Sequence, residues 1–260
     1  MKKEQIEKVL FPSLLLILII LFWQALSGWV DGFPTPIETY DAALEVLADP
    51  FYIESEDDKG MFWQVTNSLE RVFGGFILAS LVGIPLGFLI GMNKRVMYAF
   101  NPFIQILKPV SPLAWLPLAL FVFRDINLTA ISVIFITSIW PIIINTALGV
   151  QSVSKDYMNV ARVLKYTQLE IATGIILPVA IPYIFTGMRL SLGIAWLVIV
   201  AAEMLTGGIG IGFWIWDEYN NLNYHNIIVG IIIVGLVGYL LDALVGWFAN
   251  KFDYRKGERS

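Results

Sequence analysis

The stretch Asp156-Tyr-Met-Asn-Val-Ala-Arg-Val-Leu-Lys165, followed by Ile175-Ile-Leu-Pro178, decides how this sequence is interpreted. It is a short charged segment that lies between two long apolar segments. Its apolar residues recur at helical spacing, and the apolar segment after it contains proline. An amphipathic helix at the positively charged side of a membrane suits a part that receives mechanical force. It is a poor design for a chemical site.

The composition is that of a helical membrane protein. Of the 260 residues, 57% are hydrophobic, and the mean hydropathy is +0.72, both far above a soluble domain. A hydrocarbon core roughly 30 Å thick needs about 20 apolar residues per helix. The apolar runs lack the period-two alternation of a membrane barrel. The sequence predicts an all-α integral membrane protein with about six spans, at about 9–30, 66–92, 99–123, 126–150, 175–205 and 226–249.

The distribution of Lys and Arg predicts the orientation, because cytoplasmic loops carry an excess of both. The side opposite the charged segment offers only Lys59 and Arg124, next to the acidic run 54–58. Both termini are therefore expected to be cytoplasmic, and the first span to be an uncleaved helix. The other basic residues outside the predicted spans collect on the predicted cytoplasmic side: Lys2, Lys3, Lys8, Lys94, Arg95, Lys155, Arg162, Lys165, Lys251, Arg255, Lys256 and Arg259.

The chain divides into three parts. Residues 1–62 are expected to hold a first membrane helix and an outer loop, in which Thr35-Pro36-Ile-Glu38 has the N-cap, first-turn proline and capping-box acid of a helix start. Residues 63–250 form the main membrane domain, with the charged segment at about 152–174. Residues 251–260 form a cytoplasmic tail.

Glycines and prolines predict how the spans pack and where they break. A glycine-lined face allows close approach of a neighbouring helix, and the second span has such a face at Gly74, Gly75, Gly83, Gly87 and Gly91. Proline removes a helix hydrogen bond, so breaks are expected in the third and fifth spans, at Pro109, Pro112 and Pro117 and at Pro178 and Pro182.

The sequence offers little for catalysis. It has no cysteine and a single histidine, His225. It contains no metalloprotease motif, no nucleophile elbow and no P-loop. We therefore expect no enzyme activity, no metal site and no cofactor in this chain, and no binding of nucleic acid. The energy for any transport must come from a partner or from an ion gradient.

Ionisable residues inside spans are costly and often functional. Arg71 and Glu203 lie near the outer ends of the second and fifth spans, where Arg71 can pair with Glu203 or Glu70 as a structural ion pair or a gate. Lys108 and Arg189 lie deeper, and the predicted topology gives neither an acidic partner. Unpaired cations at depth suit an anion pathway, although the Lys108 side chain can also reach the interface. Both interpretations stay open.

The last outer loop combines glycines with aromatic residues. Trp214, Trp216 and Asp217 follow the glycine-rich run 207–212. The aromatic side chains fit an interfacial belt, and they also fit a gate rim or a docking surface. The residues alone do not separate these roles.

Two sets of motifs resemble a known family. Asn159, Val160, Ala161, Lys165, Ile175, Leu177 and Pro178 occupy the spacing of the cytoplasmic signature of bacterial ABC importer permeases, which runs Glu-Ala-Ala, three residues, Gly, nine residues, Ile, one residue, Leu-Pro. The departures are Asn159 for the acid and Lys165 for the glycine. Gly187-x-Arg189-x-x-x-Gly193-x-Ala-Trp196 resembles the nitrate/sulfonate/bicarbonate branch. The segments 108–117, 138–141 and 210–217 look closest to nitrate-type permeases, and the resemblance covers roughly 63–247.

The resemblance implies an ABC type I importer permease fold in a bacterial inner membrane. It implies a homodimer, two ABC ATP-binding subunits that bind ATP and Mg, and a periplasmic or lipoprotein substrate-binding protein. The expected substrate is a small inorganic anion, with nitrate or nitrite first and alkanesulfonate, taurine, bicarbonate or cyanate as alternatives. The coupling helix would use Tyr157, Asn159, Val160, Ala161, Arg162, Leu164 and Lys165.

In the coupling helix, Tyr157, Val160, Ala161 and Leu164 are expected to form one apolar stripe that docks on the ATP-binding subunit. Two other classes of function remain. A gradient-driven secondary transporter also uses broken helices, but the sequence shows no buried relay of Asp, Glu and His. A membrane-embedded enzyme lacks a catalytic constellation.

Overall fold

The computed structural model describes residues 2–55 and 58–251, so the predicted tail at 251–260 lies almost wholly outside the described residues. The regular secondary structure of the described residues is helical apart from one isolated antiparallel bridge between Ile53 and Lys59. A five-residue π-helical segment, Ala172–Ile176, separates α8 from α9. The α-helices are α1 (Lys2–Ser27), α2 (Pro36–Ala48), α3 (Met61–Met92), α4 (Lys94–Leu107), α5 (Pro112–Phe123), α6 (Ile126–Gln151), α7 (Lys155–Val163), α8 (Gln168–Ile171), α9 (Leu177–Thr206), α10 (Ile211–Asn220) and α11 (Tyr224–Lys251).

Five described helices are long and apolar enough to cross a membrane, and the count becomes six if α4 and α5 form one span. The five are α1, α3, α6, the continuous helix from Gln168 to Thr206, and α11. This confirms the prediction of about six apolar helices.

The third predicted span is not one continuous helix. The axes of α4 and α5 are bent by 95° at the break between them. The break contains Pro109, and Pro112 starts α5 in the first turn, where its missing N–H costs nothing. Pro117 lies inside α5 without ending it. The expected interruption is therefore confirmed at the first two prolines and is wrong at the third.

The expected break of the fifth span at Pro178 and Pro182 is wrong. The helical backbone runs without interruption from Gln168 to Thr206. Just before Pro178, the Leu177 N–H bonds the Ala172 carbonyl, five residues back. This π-helical register shifts the hydrogen bonds at the point where the proline has no N–H to donate, so the chain continues as a helix.

The core of the fold is the packing of α3 against α6, with α9 in contact with both helices. The glycine-lined face of α3 makes this close approach possible, as predicted. A Cβ atom added at Gly75 would lie 2.5 Å from Ile134 Cγ2, and one at Gly87 would lie 2.6 Å from Thr146 Cβ. Any side chain at these positions would push the helices apart.

The predicted outer helix is α2. Thr35 and Glu38 form the expected capping box, in which the Glu38 N–H donates to Thr35 Oγ1 at 3.2 Å and the Thr35 N–H donates to Glu38 Oε2 at 2.8 Å. The pKa of the Glu38 carboxyl lies below its usual value, chiefly because the Thr35 backbone N–H donates a hydrogen bond to it. The hydrogen bond with the Thr35 hydroxyl lowers this pKa further. Thr39 and Ala42 are buried, and the helix packs against α11.

Gly75→Ala tests the close approach of α3 and α6. Its new Cβ meets Ile134 Cγ2 at 2.5 Å and the Ile131 backbone oxygen at 2.8 Å, so we expect a loss of stability of about 1–3 kcal/mol, as for an overpacked core. Thermal unfolding in detergent measures the change.

Gly74→Ala is the matched control, since its Cβ would meet only the flexible end of Ile131, at 3.3 Å. Both variants make the same change on the same helix, so the difference isolates the contact. Equal melting temperatures for the two variants would contradict the packing argument.

Candidate functional site

The helix α7 lies between the C-terminal end of α6 and the N-terminal end of the helix that contains α9. Ser154 caps its N-terminus by accepting a hydrogen bond from the Asp156 N–H at 3.3 Å. Ala161 is only 1% exposed, and it packs in a small apolar cluster with Val150 of α6 and Ala180 of α9. Ala161 therefore does not belong to an outward stripe, and this part of the prediction is wrong. Its small side chain joins α7 to the two membrane helices.

Most other apolar residues of α7 and its C-cap are exposed on the isolated chain, whereas Met158 is half-buried against the same cluster as Ala161. Tyr157 is 61% exposed, and Val160 and Leu164 are each 57% exposed. Sequence analysis missed Val163, which is 81% exposed. We call Tyr157, Val160, Val163 and Leu164 the α7 patch.

Polar residues of the predicted coupling set surround the α7 patch. The Arg162 Nη1 atom donates to Asn159 Oδ1 at 3.4 Å, and both side chains are exposed. Lys155 and Lys165 are exposed as well. An apolar surface with basic neighbours is suited to a protein partner and also to lipid headgroups.

Lys165 ends α7 in the conformation that a glycine would adopt. Its φ angle is +57°, in the left-handed region. The Tyr166 N–H bonds the Ala161 carbonyl at 3.0 Å, and the Lys165 N–H bonds the Arg162 carbonyl at 3.1 Å. These two bonds form a Schellman motif, whose left-handed residue is most often glycine. The departure from the family pattern therefore leaves the turn geometry intact and places a strained lysine in it.

A buried ion pair joins the N-terminal part of α3 to the C-terminal part of α9, as predicted. Arg71 Nη1 lies 2.6 Å from Glu203 Oε1, so the partner of Arg71 is Glu203 and not Glu70. Arg71 also donates to Asn127 Oδ1 at 2.8 Å and to the Ile209 carbonyl at 2.7 Å. Removing one member of a buried pair typically costs about 3–5 kcal/mol.

The same cluster anchors the glycine-rich loop before α10. Sequence analysis missed its two further side chains, Gln64 and Ser68, although with Arg71 they recur at helical spacing on one face of α3. A Cβ at Gly210 would lie 2.2 Å from Glu203 Cδ, which explains the glycine. The loop amides donate inward: Gly210 to Gln64 Oε1 at 2.7 Å, Ile211 to Ser68 Oγ at 3.0 Å and Gly212 to Glu203 Oε2 at 3.0 Å.

The predicted outer aromatic residues lie on α10. Trp216 is exposed and stacks on Tyr219, whereas Trp214 is half-buried. Asp217 is exposed and accepts a hydrogen bond from Asn221 at 3.2 Å. Trp214 and Asp217 line a cavity of about 510 Å³ whose other residues include Asp58, Glu218 and Tyr52.

Burial, together with the hydrogen bond to Asp58, raises the pKa of Tyr52 to about 12. Tyr52 therefore stays neutral at ordinary pH, and the charge of this outer cavity is that of its carboxylates. The aromatic belt and the docking surface both remain compatible with this arrangement.

Arg189 has an acidic partner, contrary to the prediction. Its Nε and Nη2 atoms donate to the two carboxylate oxygens of Asp242 on α11. Sequence analysis passed over Asp242, although a lone carboxylate in the apolar run 226–249 was a visible signal. The pair is about half exposed on the isolated chain, at 52% and 47%. Arg189 is therefore a charge-compensated residue.

Lys108 lies at the break between α4 and α5. It is the C-cap of α4, and its side chain is exposed. Among the described residues, none pairs with its ammonium group. Lys108 lines one cavity of about 290 Å³ and another of about 260 Å³. The two cations that the sequence placed deep in the spans therefore differ: Arg189 has an acidic partner, and Lys108 has none among the described residues.

Lys165→Gly should stabilise the end of α7. A non-glycine residue in the left-handed conformation carries a penalty of roughly 1–2 kcal/mol, which glycine avoids. Resistance of the 152–174 segment to limited proteolysis measures the effect. Lys165→Asn also removes the charge and tolerates this conformation, whereas Lys165→Val does not. If Val were as protected as Gly, the left-handed turn would be refuted.

Arg189 and Asp242 should behave as a coupled pair. Arg189→Met and Asp242→Asn each leave one uncompensated charge within a span, so we expect a lower melting temperature for either single variant. The double variant removes both charges and should recover much of the loss. Thermal unfolding of the four proteins gives the coupling energy, and additive losses would show that the pair contributes no interaction.

Comparison with known proteins identifies the family. Residues 83–255 match the family described as the binding-protein-dependent transport system inner membrane component. The nitrate import permease protein NrtB of Leptolyngbya laminosa is 49% identical over 92% of this chain and 86% of its own. The bicarbonate transport system permease protein CmpB of Synechococcus elongatus is 42% identical over 94% of this chain and 90% of its own.

The fold is found in solved structures. The inward-facing MetNI methionine ABC transporter matches with a TM-score of 0.63 at 14% identity, over 74% of this chain and 95% of the matched chain. At that identity the likeness concerns the fold alone, and it confirms the predicted ABC type I importer permease fold. The chain is a multi-pass membrane protein and belongs to the family of binding-protein-dependent transport system inner membrane components.

Proposed function

We propose that this chain is the permease subunit of an ATP-driven importer for a small inorganic anion, with nitrate as the substrate. The α7 patch carries the mechanical part of this proposal. It presents apolar side chains beside basic ones at the proposed cytoplasmic ends of two membrane helices, so an ATP-hydrolysing partner can bind it. No P-loop occurs in the sequence, so the motor is a separate subunit.

Nitrate is proposed from the relatives. The nitrate permease shares 49% of its aligned residues with this chain, and the bicarbonate permease shares 42%. These values favour nitrate, with nitrite close to it in chemistry. Bicarbonate, cyanate, alkanesulfonate and taurine are the alternatives that a transport assay distinguishes.

The proposed assembly has two copies of this chain, two ABC ATP-binding subunits that hold ATP and Mg, and a substrate-binding protein on the outer side. The half-exposed pair of Arg189 and Asp242 supports a second copy or a water-filled path on this face, because charges are costly against lipid. The outer surface of α10, with Trp214, Trp216 and Asp217, is the proposed docking surface for the binding protein.

The proposed topology places both termini in the cytoplasm of a bacterial cell. With α4 and α5 counted as one span, the described chain crosses the inner membrane six times, which returns both ends to one side. The positive charges in the first turns of α1 and in α7 support this orientation. The division at residues 62 and 250 stays a prediction, with 63–250 as the transporting domain.

The proposed mechanism is alternating access driven by the partner. ATP binding draws the ATP-binding subunits together and displaces α7. Ala161 transmits the displacement, since it belongs to the same buried apolar cluster as Val150 of α6 and Ala180 of α9. The continuous helix from Gln168 to Thr206 then carries the motion through Pro178 and Pro182. Binding of ATP shifts the population between the inward-open and outward-open states, and no chemistry occurs in this chain.

Reconstituted complexes of the chain with its cognate ATP-binding subunits and binding protein should take up nitrate only when ATP is present inside. Competition with bicarbonate, taurine and cyanate identifies the preferred anion. Uptake that persists without ATP and stops with a protonophore would reject the ABC mechanism in favour of a gradient-driven transporter.

Val160→Asp tests the α7 patch in the same assay. A carboxylate in the apolar contact between the α7 patch and the ATP-binding subunit should weaken their binding. We therefore expect at least a tenfold loss of uptake while the chain stays folded. Asn159→Glu is the matched control, because it adds the same charge on the same helix at the position where the family carries an acid. Normal uptake by Val160→Asp would disprove the coupling role.

A further inference from the structure

The break between α4 and α5 opens a cavity that reaches the middle of the bundle. Its volume is about 260 Å³. Lys108 and Ser111 line it from the break, Trp115 from α5, and Thr137 and Trp140 from α6. The two α6 residues lie near the middle of Ile126–Gln151. The cavity is therefore about halfway across the membrane span, at a discontinuous helix, which is where transporters commonly hold their substrates.

The polar groups of this cavity are hydrogen-bond donors without an acidic neighbour. Lys108 is the only ionisable residue of its lining. Ser111 makes no side-chain cap, and the indole N–H groups of Trp115 and Trp140 have no hydrogen-bond partner among the described residues. Ammonium and indole N–H groups donate and do not accept. Such a lining favours an anion and disfavours a cation.

Thr137 differs from the other polar residues of the lining. Its hydroxyl donates to the Val133 carbonyl at 2.9 Å within α6. This donor is already used by the helix, so Thr137 does not belong to the free donor set. It provides a control that lies in the same cavity.

Lys108 also lines the second cavity, of about 290 Å³. That cavity is lined by the amides of Asn101, Gln105 and Gln151, and it too has no carboxylate. Gln151 is the last residue of α6, next to the segment that leads into α7. The linings of the two cavities share Lys108, contain no carboxylate, and include residues from the middle of α6 to its last residue.

The outer cavities have the opposite character. The cavity of about 510 Å³ beside α10 is lined by Asp58, Asp217 and Glu218. An adjoining cavity of about 320 Å³ adds Glu45 and Asp49. Fixed carboxylates repel an anion, so these outer cavities are poor anion sites. The contrast assigns anion binding to the cavity at Lys108.

We infer that the cavity at the α4–α5 break is the anion-binding site of the transport path. Lys108 supplies the positive charge, and Ser111, Trp115 and Trp140 supply O–H and N–H donors to the oxygens of a small monovalent oxyanion. An anion there also compensates a cation that is costly inside a membrane. This inference rests on the proposed function, since it names the site at which the imported anion is held.

The test is the nitrate concentration dependence of ATP-driven uptake by the reconstituted full complex. Lys108→Met keeps most of the length of the side chain and removes the charge, and we expect it to raise KM about tenfold or more. Lys108→Arg should keep KM within a few-fold. Ser111→Ala and Trp140→Phe each remove one donor and should raise KM several-fold. Thr137→Val should leave KM unchanged, because its hydroxyl is used within α6.

ATP hydrolysis stimulated by the binding protein separates failure of the site from failure of the assembly. We expect the cavity variants to retain it. An unchanged KM for Lys108→Met overturns the site and leaves the proposed function standing. If Lys108→Met does not assemble, unchanged KM values for both Ser111→Ala and Trp140→Phe overturn it instead. If the wild-type complex imports bicarbonate or taurine and not nitrate, the proposed substrate is wrong, and the same KM series with that anion decides the site.

Discussion

The close approach of α3 and α6 is the constraint on which the rest of the fold depends. In a membrane no water-driven collapse holds helices together, so the association relies on contact between surfaces that fit. The glycines at 75 and 87 remove the side chains that would separate the two backbones. With α9 packed on α6, the three helices form a rigid unit to which the other elements attach. The buried pair of Arg71 and Glu203 fixes one end of this unit.

One long helix of the chain is continuous, and another predicted span is broken. The segment from Gln168 to Thr206 stays helical through two prolines, because the π-helical segment adjusts the hydrogen-bond register before Pro178. The break at residues 108–111 has no such adjustment, and the chain turns by 95°. A continuous helix transmits displacement, whereas a break exposes backbone and side chains to a cavity. The first suits a lever and the second suits a binding site.

Sequence reasoning succeeded where the signal is local or periodic. The capping box at Thr35 and Glu38, the glycine face of α3 and the length of the apolar runs all depend on residues near one another in the chain. The same periodicity located α7 but placed Ala161 on the wrong face. Residue spacing gives the angular position of each side chain around a helix, but it does not show which side is buried. In α7 the buried side is the one that faces the cluster with Val150 of α6 and Ala180 of α9.

The errors in the candidate site have the same origin. Proline predicts the loss of one hydrogen bond, but whether the helix ends depends on how the neighbouring turns respond, and the two prolines of α9 gave a different outcome from those at the α4–α5 break. Arg189 was taken as unpaired because Asp242 is distant in sequence. The left-handed turn at Lys165 was not predictable from a lysine, since that conformation is imposed by the bonds that close α7.

The charges that lie within or at the ends of the spans show how an anion path can exist in such a protein. Glu203 is neutralised by Arg71 in a buried cluster that also ties down the loop before α10. Arg189 is neutralised by Asp242. Both carboxylates are thereby removed as barriers to a negative solute, and neither cation is free to hold one. Lys108 is left as the uncompensated charge at mid-span in the described chain, beside two cavities without carboxylates. Because both carboxylates are neutralised in ion pairs, neither opposes the attraction between Lys108 and an anion.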